Sequence, residues 1–192
     1  PNKFIRKLIY FYPTISDSFS WIHGDIDQWR NPKDFIKLRP GLDDLFLDYF
    51  EKNIDKSDKI LDLGCNSGRH LNYLYHKNYK DLNGVDIMLS AFTFFRKEFP
   101  EAFKFINFEK NFMQRKLLNT NNQFYDSIYT VGATIELIHP SFDIIGHMCR
   151  VVKQNIIILI QPDAHYYPRF YPLEFTRNGF SKITEMKLGK NH

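Results

Sequence analysis

The residues from Ile60 to His70, "ILDLGCNSGRH", concentrate groups that can do chemistry: the carboxylate of Asp62, the glycines Gly64 and Gly68, Cys65 and Asn66 between them, and Arg69 directly after. Gly64 and Gly68 carry no Cβ, so the backbone there can turn tightly and approach a ligand closely. A helix starting near Ser67 aims its free N–H groups at an anionic group on that ligand. A dinucleotide fingerprint reads G-x-G-x-x-G. Here Asn66 stands at the third position, position 67 is not glycine, and the spacing is D-x-G-x-x-x-G. That pattern suits a ligand with one small anion and an amine, the amine facing Asp62. About 20 residues further on, "GVDI" ends in the region of Asp86, where an acidic residue holds ribose hydroxyls in sheets of this kind.

The elements that must position these groups alternate in type. Strands are expected over "KILDLG", "LNGVDI", "FKFINF", "YDSIYTV", "NIIILIQ" and "SKITEMKL". Helices are expected over "SGRHLNYLYHKN", "LSAFTFFRKEF", "EKNFMQRKLL", "FDIIGHMCRVV" and around "YPLEFTRNGF". Such alternation predicts a parallel sheet covered by helices on both faces. "ILDL" and "IIILI" are apolar throughout, as the centre of a doubly covered sheet requires. Before the first strand, "LDDLFLDYFEKNI" sets Leu42, Leu45, Phe46, Tyr49 and Phe50 at helical spacing, with Asp43 and Asp44 near the positive end of the helix dipole. Residues 1–40 show turn signals and aromatics but no sustained period, and we read them as an arm capping the site, followed by one domain over 41–192.

At 192 residues with 43% hydrophobic and 25% charged content, the chain has the size and balance of a single globular domain, which excludes the disordered and collagen-like classes. No apolar run approaches the roughly 18 residues that span a bilayer. The opening "PNKFIRKLIYFY" is basic and apolar but no small-residue cleavage site follows it, so no signal peptide is expected. The two cysteines, Cys65 and Cys149, lie far apart without metal-type spacing, so a reduced cytoplasmic protein with no metal is expected. A net charge of +4 spread along the chain permits an anionic partner without indicating nucleic acid.

Taken in order, these segments resemble the class I S-adenosylmethionine-dependent methyltransferases: "ILDLGCNSG" resembles the family's first motif, "GVDI" its acidic ribose motif, "INFE" its adenine-side turn and "YDSIYTVGATIELIHP" its fourth-strand motif. The resemblance spans about residues 41–188. It implies a Rossmann-like, doubly wound, mostly parallel sheet in a three-layer α/β/α domain, with little room after "SKITEMKL" for the family's last antiparallel strand. It also implies that S-adenosylmethionine is the cofactor. Asp62, Gly64, Cys65, Asn66 and Gly68 would then surround its methionine end, with Arg69 near the carboxylate. Asp86 would bind the ribose, Ile87 and Met88 flank the adenine, and Asn107 with Phe108 edge its ring. Thr130, Val131 and Gly132 would pass close to the sulfonium.

One departure stands out: in "IELIHP" Glu136 is kept, Leu137 stands where many relatives have His, and His139 follows two residues later. Candidate general bases are Glu136, His139 and His165, with Tyr166, Tyr167 and Arg169 on the rim where an acceptor would bind. No Asp/Asn-Pro-Pro-aromatic turn follows the fourth strand, which disfavours exocyclic amines of nucleobases. A small acceptor is expected, anionic by the character of His165 and Arg169, and O-methylation in sugar or polysaccharide biosynthesis is the preferred reading. A methyltransferase-like binding subunit and a nicotinamide-dependent oxidoreductase are the alternatives, the latter disfavoured by the missing middle glycine.

Overall fold

The computed structural model describes residues 32–132, 135–160, 167 and 169–181. A short 3-10 turn, Pro32–Phe35, precedes helix α1, Leu42–Asn53. Then come β1 (Lys59–Leu63), α2 (Arg69–His76), β2 (Asp81–Asp86), α3 (Leu89–Glu98), α4 (Pro100–Phe105), β3 (Asn107–Lys110), α5 (Met113–Asn119) and β4 (Tyr125–Val131). A 3-10 turn at Ile135–Leu137, α6 (Ile144–Val151), β5 (Val152–Leu159) and α7 (Tyr171–Arg177) complete the described chain. The expected last strand over "SKITEMKL" lies outside the described residues beyond Ser181, as do residues 1–31 of the arm expected over 1–40.

The five strands form one parallel sheet in the order β3-β2-β1-β4-β5. The winding direction therefore reverses between β1 and β4, the place where such sheets hold their ligands. Successive strand residues point to opposite faces. Ile60, Tyr129, Ile157 and Leu159 join a core with Phe46, Phe50, Leu71, Leu74 and Phe95 from α1, α2 and α3. Leu61, Leu63, Ile128, Ile156 and Ile158 join the opposite core, with Leu117, Ile145, Met148 and Phe175 from α5, α6 and α7. Both faces are thus covered, as the unbroken apolar strands predict.

Two departures from expectation have clear causes. The run "FKF" is helical rather than part of a strand: Pro100 occupies the first helical turn with Glu101 beside it, Phe103 packs edge-on to Phe92 and Phe95, and Phe105 lies against Tyr75. β3 consequently begins at Asn107, and Glu109 and Lys110 belong to it instead of to the next helix. In α1 the inward face is Asp43, Phe46, Leu47 and Phe50, whereas Leu45 is exposed. An aspartate therefore occupies an apolar-stripe position.

Candidate functional site

β1 ends at Leu63, and the chain then turns through three left-handed residues, Gly64, Asn66 and Gly68, with φ of 79°, 44° and 73°. Asn66 thus takes up without glycine the backbone conformation its position demands, which asparagine does more readily than most residues. Gly68 cannot be replaced so easily, because a Cβ there would sit 2.7 Å from the Phe95 ring. The Gly64 and Cys65 amides both donate to the Val85 carbonyl, at 2.9 and 3.1 Å, tying the loop to β2. Cys65 is buried beneath the loop, and burial pushes its thiol up, so it packs against the absent side chain of Gly84 and supplies no nucleophile.

Asp86 closes the other side. Its Oδ2 accepts the Asn66 amide at 2.8 Å and its Oδ1 the Met88 amide at 2.9 Å. Burial raises its pKa while the Met88, Asn66 and Ile87 amides pull it back. Each oxygen still has a lone pair for a further donor, which is what a pair of ribose hydroxyls needs. Met88 is buried and Ile87 half-buried, so Ile87 is the more accessible of the pair expected beside adenine.

Asp62 is buried at the carboxyl end of β1, and burial lifts its pKa to about 8, with the Tyr129 hydroxyl and Arg69 opposing and the Asp86 charge adding to the rise. The Tyr129 hydroxyl, on β4, is itself buried without a hydrogen-bond partner of good geometry among the described residues. Thr130, next along β4, donates its Oγ1 to the Leu63 carbonyl at 2.8 Å, and the Gly132 amide donates to the Leu159 carbonyl at 2.7 Å. Thr130 and Val131 end β4, Thr130 tied to the last residue of β1 and Gly132, just beyond, to the end of β5.

Other candidates fall elsewhere. Asn107 and Phe108 are paired with Asn83 and Gly84, at the amino end of β3, not with Asp86. Asn107 donates to the Asn83 side chain, and Phe108 packs against Phe92 and Phe95. The residues level with Asp86 are Lys110, in register with it, and Asn111, whose amide donates to the Asp86 carbonyl at 2.9 Å. Arg69 faces Asp43, with Nε 3.1 Å from its Oδ2, and also donates to the Phe35 carbonyl at 3.3 Å.

Among the base candidates, His139 accepts the Ser141 amide on Nδ1 at 3.1 Å and stands edge-on to Tyr167 with ring centroids 5.0 Å apart. Its Nδ1 also lies 2.7 Å from Ser141 Oγ, so that nitrogen is engaged within the turn after β4. Glu136 is buried in the 3-10 turn, and its carbonyl accepts the Tyr167 amide. Arg169, expected on an acceptor rim, is spent inside the protein: it pairs with Glu174 at 3.1 Å and donates to the Ile138 carbonyl at 3.1 Å. His165 and Tyr166 lie outside the described residues.

Sequence reasoning missed Asp43 and Tyr129. Asp43 was visible as the first of four positions, 43, 46, 47 and 50, spaced as one helical face; Tyr129 was visible only as a strand residue.

No family model matches the chain, and no curated protein matches it in sequence. Its fold does have solved counterparts. Magnesium protoporphyrin IX methyltransferase from Synechocystis, solved with S-adenosylmethionine bound, superposes with a TM-score of 0.68 at 15% identity, covering 93% of this chain and 90% of that one. A SAM-dependent methyltransferase from Archaeoglobus fulgidus gives 0.63 at 17% identity, with 81% and 75% covered. A TehB-like SAM-dependent methyltransferase from Corynebacterium glutamicum gives 0.60 at 16%, with 81% covered in each. The fold is therefore that of the Rossmann-like SAM-dependent methyltransferases. Among the described residues, no helix is long and apolar enough to cross a membrane.

Proposed function

We propose that this chain binds S-adenosylmethionine and transfers its methyl group to a small acceptor. The observation that carries the reading is the hydrogen bond from the Asn66 amide to Asp86, which joins a left-handed loop to a ribose-type carboxylate at the switch between β1 and β4. The residues present fit the cofactor. Asp86 keeps lone pairs for two hydroxyls, Asp62 offers a buried carboxyl to the amine, and Asn66 keeps the open turn that the spacing requires. The bound sulfonium would supply an already activated methyl group.

The protein's share is then alignment and exclusion of water, the contributions that count most when the donor needs no activation. Thr130, Val131 and Gly132, held to β1 and β5, form the floor against which donor and acceptor would meet. For the acceptor we propose an oxygen nucleophile on a small molecule, with sugars the first class to screen. The support is sequence alone, the histidine and tyrosines of "QPDAHYY" and the missing amine-type turn after the fourth strand; Tyr167, expected on the rim, is buried. Arg169 gives no support to an anionic group, since its charge is already paired.

Calorimetric titration with S-adenosylmethionine, S-adenosylhomocysteine and NADH tests the reading. Binding of the two sulfur nucleotides, with NADH silent, is expected. Binding of NADH alone, or of none of the three, overturns it.

A further inference from the structure

The carboxylate of Asp43 is fully buried, yet it lies on a helix that precedes β1 and belongs to no motif of the site. Around it converge the Arg39 amide at 2.6 Å, His70 Nε2 at 3.1 Å and Arg69 Nε at 3.1 Å, with the Arg39 guanidinium at 3.4 Å. Arg69 and His70 are the first two residues of α2, directly after Gly68. The same turn is fastened a second time, because the Phe35 carbonyl accepts from Ser67 Oγ at 2.7 Å and from Arg69 at 3.3 Å.

We infer that Asp43 is a positioning residue for the loop between Gly64 and Gly68, acting through Arg69 and His70 on the methionine end of the cofactor. This rests on the S-adenosylmethionine reading above. A buried ion pair is a poor source of net stability, because desolvating the charges offsets most of their attraction. Its use here is geometric. One carboxylate takes donors from the turn before α1 and from the first turn of α2, so the loop between β1 and α2 is held at its far end while Asp86 holds its middle. Burial pushes Asp43 up, but the His70 hydrogen bond, the Arg39 amide and the Arg69 charge outweigh it and keep the carboxylate ionised. Burial holds the pKa of His70 low, and its Nε2 lies 3.1 Å from Asp43 Oδ1.

The geometry separates two ends of the ligand. The hydrogen bonds and ion pairs of Asp43 run to Arg39 and to Arg69 and His70 at the α2 end of the loop, whereas Asp86 holds the loop through Asn66. Loss of Asp43 should therefore weaken ligands that carry the amino-acid moiety and spare one that stops at the thioether. The test measures S-adenosylhomocysteine and methylthioadenosine, which lacks the amino acid, against the intact chain, Asp43→Asn, Arg69→Lys and Ser67→Ala. The expected result is a loss of about tenfold or more for S-adenosylhomocysteine in Asp43→Asn and Arg69→Lys, the size of one charged hydrogen bond, with methylthioadenosine changed less than about twofold. Equal losses for both ligands, or none for either, overturn the inference. If Asp43→Asn does not fold, Arg69→Lys and Ser67→Ala decide by the same split. An unaltered chain that binds neither ligand overturns the cofactor reading instead.

Discussion

The Asn66 amide donates to Asp86 Oδ2 at 2.8 Å, so the loop after β1 and the end of β2 are a single hydrogen-bonded unit. Removing the carboxylate acts on both at once. Asp86→Ala is expected to weaken S-adenosylhomocysteine by roughly a hundredfold or more, since hydrogen bonds to a charged acceptor contribute about 1.5–3 kcal/mol each. Asp86→Asn, which keeps an oxygen for one amide, should fall between. Calorimetry on both variants checks this, and affinity unchanged in Asp86→Ala would sink the ribose assignment.

Gly68 and Gly132 have nearly the same φ, 73° and 69°, but different surroundings. A Cβ on Gly68 would press into the Phe95 ring at 2.7 Å, while one on Gly132 meets no described atom within 4 Å. Gly132→Ala should therefore cost about 1–2 kcal/mol, the left-handed penalty alone. Gly68→Ala should cost that plus an overpacking penalty of about 1–3 kcal/mol. Denaturant midpoints of the two variants measure the difference.

Asp62 gives the protein a definite pH signature. Its pKa is about 8 in the folded chain against 3.8 ordinarily. Between those values the folded state holds a proton that the unfolded state has lost, so stability should decline as pH rises from about 4 to about 8 and level off above. Asp62→Asn should flatten that slope, and Tyr129→Phe, which removes the hydroxyl opposing the shift, should move its upper end to higher pH. Unfolding midpoints across this range decide the matter. A slope unchanged in Asp62→Asn would assign it to other groups.

Arg169→Ala is expected to lower stability by about 1–3 kcal/mol, because the Ile138 carbonyl and Glu174 lose a charged donor. The expectation is a shift in denaturant midpoint with cofactor affinity unchanged. Weakened cofactor binding at constant stability would return Arg169 to the site.

Much of this was legible in the residues. β1 and β2 could be read because "KILDLG" and "LNGVDI" are short strand-like runs bounded by turn residues, and the left-handed Asn66 falls in the turn expected between Gly64 and Gly68. The misreadings share a physical origin. "FKFINF" has strand composition, but Pro100 and the packing of Phe103 and Phe105 on neighbouring helices override local preference. Asp43 was read as a helix-dipole charge, since an aspartate on a helix is ordinarily solvated; only the tertiary approach of Arg69 and His70 makes its burial tolerable. The pairing of Arg169 likewise depends on Glu174 and Ile138, which sequence spacing alone does not bring together.

The strand order also dictates when the protein becomes competent during its synthesis. β1, β2 and β3 can pair as each emerges, but β1 meets β4 only after the chain has run on to Ile128, partner of Leu61. Such sequence-distant pairing is slow to form. The nascent chain therefore carries its glycine loop early, with one edge of β1 still open and Tyr129 and Thr130 not yet in place beside Asp62. Binding of the proposed ligand would then favour finished chains over half-built ones.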